Sequence, residues 1–117
     1  MDSFYSRLVE THAIRVFGME HQLRKWHEEL GEALQAVNKY LNGEDSIEHL
    51  AEELADLSVT TEEMVLGFGV EQQFETFRYA KLDRLWANIL EREGVATNHA
   101  DETDDPAGDR GGNEETP

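Results

Sequence analysis

Glu29 and Glu32 stand three residues apart, as do Glu53 and Asp56, and 20 residues separate the two pairs. Ionised carboxylates only accept hydrogen bonds, so four of them gathered in one cleft are suited to a divalent cation. Without a cation they repel. Two unit charges 4 Å apart cost ~1 kcal/mol in water and about 4 kcal/mol at an effective dielectric of 20. A single pair of this kind is an ordinary solvated helix face, because Glu is a strong helix former. Two pairs, each bordering an apolar stripe and separated by a predicted hairpin, are less ordinary.

The chain has no cysteine, so a metal here must be held by oxygen or imidazole. Carboxylate oxygens point to a hard ion, magnesium first and manganese second. A di-iron carboxylate bundle needs Glu-x-x-His pairs, and none of His12, His21, His27, His49 or His99 has Glu three residues before it. Of the histidines only His49 falls on an acidic strip.

Helices must position these groups. Residues 1–93 contain no proline and no convincing alternating strand, and "NG" at 42–43 and "GFG" at 67–69 punctuate long amphipathic stretches. The pattern predicts a helix over 3–17, with Phe4, Leu8, Ile14 and Phe17 as core, and a bend at Gly18. A second helix is expected over 19–41, with Leu23, Trp26, Leu30, Leu34, Val37 and Leu41 as one apolar stripe and Asn42 and Gly43 as its C-terminal cap. Asp45 reads as an N-cap, with Glu48 three residues on, for a third helix over 46–66. Its apolar side is Ile47, Leu50, Leu54, Leu57 and Met64. A fourth covers 71–92, with Phe74, Phe77, Leu82, Leu85, Trp86 and Ile89.

At ~100° per residue, Glu29 and Glu32 lie beside the second helix's apolar stripe, on a flank with Gln22, Lys25, Ala33 and Ala36. On the third helix His49, Glu53, Asp56, Thr60 and Glu63 form a matching strip. If the two helices pack antiparallel by their apolar stripes, the acidic strips meet at the edge of the interface. The expected fold is therefore all-α, an antiparallel bundle of three to four helices completed by oligomerisation.

The 117 residues suffice for one small domain, assigned to 1–93. From 94 to 117 apolar content collapses and seven acids face one Arg, so an acidic disordered tail is expected there. The formal charge of −16 argues against a nucleic-acid or anionic-lipid binder. Neither a signal peptide nor an apolar run of about 18 residues is visible, which makes a cytoplasmic protein the expectation.

The segments "QLRKWHEELGEALQAVNKYLNG", "HLAEELADLSVTTEEM" and "FRYAKLDRL" resemble the MazG-like nucleotide pyrophosphohydrolases of the all-α NTP pyrophosphatase superfamily, over about residues 17–90. The resemblance rests on ExxE and ExxD on adjacent helices, matched by Glu29/Glu32 and Glu53/Asp56. It implies magnesium-dependent hydrolysis of a nucleoside triphosphate to a monophosphate and pyrophosphate, with those four residues as metal ligands, and a homodimer or homotetramer. Glu28 and Glu52 are then candidates for an outer-shell ligand or general base. Gln22 and Lys25 border the acidic strip as candidate substrate contacts. Lys81, Arg84 and Asn88 recur along one side of the last helix, where similar proteins bind phosphate or sugar. Trp26 and Trp86 read as core residues rather than base-stacking ones.

Phosphoribosyl-ATP pyrophosphatases follow their second acidic motif with an aromatic and a His, whereas Ser58, Thr60 and Thr61 stand here, which disfavours that substrate. The superfamily's dUTPases are usually longer. A reading from another class remains: an acidic interaction protein, such as a DNA mimic, without catalytic activity.

Overall fold

The computed structural model describes residues 3–94, so the stretch expected to form an acidic tail lies, but for Gly94, outside the described residues. The described residues divide into two compact units, with the boundary between Glu75 and Thr76. Four helices follow in order, α1 (Ser3–Phe17), α2 (Met19–Leu41), α3 (Ile47–Phe68) and α4 (Glu71–Arg92). No strand occurs among the described residues, and the fold is all-α. No helix among them is long and apolar enough to cross a membrane.

Local signals account for the breaks. Gly18 sits between α1 and α2 at φ 92° and ψ 151°, a region open essentially to glycine alone. Its N–H still bonds to the Ile14 carbonyl at 2.8 Å, and its own carbonyl accepts from Gln22 N at 3.1 Å. The helix therefore turns a corner without stranding its backbone. At the other end of α2, Asn42 caps with its N–H on the Asn38 carbonyl, and Gly43 follows at φ 72°.

The start of α3 differs by one residue from expectation. Ser46 is the N-cap, and its Oγ accepts from His49 N at 3.1 Å. Asp45 instead accepts from Ser46 N at 2.8 Å and faces the His49 ring. With the cap moved on by one, His49 rather than Glu48 stands three residues after it.

In the first unit α3 packs against both α1 and α2. The α2–α3 pair is antiparallel, because Gln22 meets Glu63 and Trp26 meets Thr61. The buried residues of this unit are Ala33, Ala36 and Met64 together with Glu10, Gln22, Glu29, Thr60 and Glu63. This corrects the expected packing. Leu23, Leu30, Leu34 and Leu41 on α2 are exposed, as are Ile47 and Leu54 on α3. On α1, Phe4, Leu8 and Phe17 are exposed as well.

The physical reason is side-chain size. Gln22, Glu29, Ala33 and Ala36 share one face of α2, and the leucine stripe lies about 100° around the helix from it. Ala33 and Ala36 are buried beside Glu29, whereas Glu32 and Asp56 are exposed, so the acids run from inside the α2–α3 contact out to its edge. Trp26 and Val37, between the two faces, are half-buried. The Trp26 indole N–H donates to Thr61 Oγ1 at 3.0 Å, a packing role.

Candidate metal centre

Packing of α2 against α3 brings carboxylates together. Glu29, Glu53 and Asp56 each place one carboxylate oxygen within 4.8 Å of the others. The Glu29 side chain is 8% exposed and that of Glu53 14%. Asp56 is exposed, so the group opens to solvent on one side.

The Glu29 and Glu53 carboxylates are held alike. Glu29 Oε2 lies 3.3 Å from Lys25 Nζ, one turn earlier on α2. Glu53 Oε2 lies 3.0 Å from His49 Nε2, one turn earlier on α3. Glu29 Oε1 and Glu53 Oε1 are buried with no hydrogen-bond partner. A buried polar atom left unsatisfied costs about 1–3 kcal/mol, and more when charged. Each side chain thus has one oxygen engaged by a base and one left over. Two leftover carboxylate oxygens beside a third carboxylate form a donor set that fits a hard divalent cation. The His49 ring is not part of that set, because carboxylates occupy both of its nitrogens.

The charges around the group report the same crowding. The Glu32 carboxyl is raised above the usual range, first by the charge of Glu29, then by desolvation and by Glu53 and Glu28. Glu32 is exposed and lies outside the close trio, within its field. The Lys25 ammonium is pushed up by its hydrogen bond to Glu29 and by that carboxylate's charge, with Glu28 and Glu32 adding to it. His49 is raised chiefly by its hydrogen bond to Asp45, whose carboxyl is lowered in return.

The remaining expected site residues are placed as follows. Glu28 is exposed, 4.0 Å from Lys25 Nζ. Glu52 is exposed on α3. Gln22 is buried and committed to packing: its Nε2 donates to Glu63 Oε1 at 2.7 Å, and its Oε1 lies 2.7 Å from His21 Nδ1. Lys81, Arg84 and Asn88 are exposed on the part of α4 that belongs to the second unit.

Two features escaped the sequence reading. One is the Asp45–His49–Glu53 chain, whose signal was the spacing of four between successive members. The other is a second acidic group, where Glu10 of α1 is 4% exposed. Its carboxyl is pushed up to about 8 by burial, by a hydrogen bond with Glu62, and by the charges of Glu62 and Glu63. Glu10 gave no signal because nothing in the pattern of α1 marks its face as the packed one.

No protein-family model, curated protein or solved structure matches this chain.

Proposed function

We propose that the chain is a magnesium-dependent nucleoside triphosphate pyrophosphohydrolase, acting on the cytoplasmic nucleotide pool. The observation that carries this reading is the trio Glu29, Glu53 and Asp56, with two buried oxygens lacking partners, on the helices that bear the ExxE and ExxD pairs. The resemblance to MazG-like proteins supplies the reaction: water adds at the α-phosphorus, and the bond from that phosphorus to the bridging oxygen of the β-phosphate breaks. The products are a nucleoside monophosphate and pyrophosphate.

Glu29, Glu53 and Asp56 would hold magnesium, or manganese, with Glu32 at the margin. The metal, when bound, supplies neutralising charge for phosphate oxygens and acidity for a coordinated water. The protein's residues do the rest. Lys25, half-exposed beside Glu29, is positioned to pair with a phosphate oxygen once a metal satisfies Glu29. Glu28, exposed next to Glu29, and Glu52, exposed next to Glu53, are the candidates to accept a proton from the attacking water. The exposed stripe of Leu23, Leu30, Leu34, Leu41, Ile47 and Leu54 supports self-association to a dimer or tetramer.

A DNA mimic needs its carboxylates displayed to a basic partner. Burial of Glu29 and partial burial of Glu53 favour the enzyme over that alternative.

The test is pyrophosphate release from a panel of ribo- and deoxynucleoside triphosphates with magnesium. Turnover is expected for the unaltered chain and is lost in Glu53→Gln and Asp56→Asn, whose far-UV helical spectra persist. Absence of turnover on every nucleotide, with magnesium or manganese, would refute the reading.

A further inference from the structure

The Glu53 carboxylate is not left to find its own orientation. His49, one turn before it, meets Glu53 Oε2 with Nε2 at 3.0 Å and Asp45 Oδ2 with Nδ1 at 2.5 Å. Asp45 is itself fixed, since its Oδ1 accepts from Ser46 N at 2.8 Å. The backbone of His49 is tied as well, through its N–H to Ser46 Oγ. The imidazole is therefore held at its backbone and at both ring nitrogens, and the N-terminal cap of α3 is continuous with the side chain that grips Glu53.

From this geometry we infer that His49 is a positioning residue of the metal centre: held by Asp45, it fixes Glu53 Oε2 and so reserves Glu53 Oε1 for a divalent cation. The inference rests on the metal reading above. It assigns His49 no contact with metal or substrate.

An imidazole beside a cation site has two opposed effects. Its positive charge repels an incoming dication, whereas its hydrogen bond pre-orients a ligand and removes the entropy of ordering it. Asp45 decides between them. It places a compensating negative charge on the far side of the ring, so Asp45 and His49 together present Glu53 with a hydrogen-bond donor carrying little net charge. Partners of this kind behind a metal ligand change affinity about 10–100-fold when removed.

The experiment is titration of the full chain with Mn2+, followed by electron paramagnetic resonance of the free ion. His49→Ala is expected to weaken binding about tenfold or more while the helical spectrum is unchanged, since the Ser46 cap uses only the backbone of residue 49. His49→Gln, whose amide donates without charge, recovers most of the affinity, which a purely structural defect would not. Asp45→Asn weakens binding too, by removing the compensating charge. Binding by His49→Ala as tight as that of the unaltered chain, or tighter, overturns the role of His49. Should His49→Ala fail to fold, Asp45→Asn decides, and unchanged affinity there is equally fatal. No Mn2+ binding by the unaltered chain overturns the metal reading itself and this inference with it.

Discussion

Lys25 Nζ lies 3.3 Å from Glu29 Oε2, while the other oxygen of the same carboxylate is buried without a partner. Lys25 on α2 and His49 on α3 thus each engage one acid of a site where three carboxylates converge. Lys25 is about half exposed, so it can leave Glu29 without losing its own hydration.

Metal and Lys25 therefore compete for Glu29. Lys25→Met is expected to lower the melting temperature without metal, because it strips Glu29 of its only counterion within reach on α2. The same change enlarges the rise produced by magnesium, since the metal no longer displaces a resident cation. Thermal melts of both proteins with and without magnesium check this. An equal rise in the two would show that the ammonium and the metal do not share a carboxylate.

Glu10 sets a pH dependence of definite sign. Its carboxyl titrates near 8 when folded, against an ordinary value of 4.5. The folded chain then holds a proton that the unfolded chain has released, so stability falls as pH rises from about 4.5 to about 8 and levels off above that. His49, whose folded value is also raised, adds to the decline above its ordinary 6.5. Glu10→Gln keeps a donor for Glu62 without the ionisation. We expect it to flatten the decline and to raise the melting temperature at pH 8 by about 5 °C or more. Melts between pH 5 and about pH 9 on both proteins decide it. Parallel curves would exclude Glu10 as the source.

The two faces of α2 predict opposite outcomes for neighbouring residues. Ala36 is 2% exposed in the α2–α3 interface, and Ala36→Leu should cost about 1–3 kcal/mol by overpacking. Leu34, two residues earlier, is 63% exposed in the single chain. Leu34→Lys should leave the helical spectrum intact and dissociate the proposed oligomer. Denaturant titration reads the first effect, and light scattering after size-exclusion chromatography the second. A Leu34→Lys protein of unchanged mass would remove the leucine stripe from the interface between copies.

Much of this was legible in the residues alone. The bounds of α1, α2 and α4 follow from local physics: no proline interrupts them, and Gly18, Asn42 and Gly43 stand where the backbone must turn or cap. The spacing of Glu29, Glu32, Glu53 and Asp56 likewise placed the acids on adjoining helices, because side chains three and four apart share a face whatever the helix packs against. The cap of α3 was off by one, since Asp45 and Ser46 both suit an N-cap and only the bond from His49 N–H to Ser46 Oγ separates them.

Which face of α2 meets α3 belonged to the tertiary structure. Periodicity finds a leucine stripe and an alanine-lined acidic flank about 100° apart, and it cannot rank them, because each is a sound packing surface for some partner. Ranking them requires knowing how closely the backbones approach. In the folded chain the alanine-lined flank is the packed one: Ala33, Ala36 and Glu29 are buried and Glu53 partly so, one oxygen of each acid is unpartnered, and the α2 leucines are exposed. Sequence alone determined that these acids share adjoining helices; burial, a property of two surfaces at once, was decided only when the helices met.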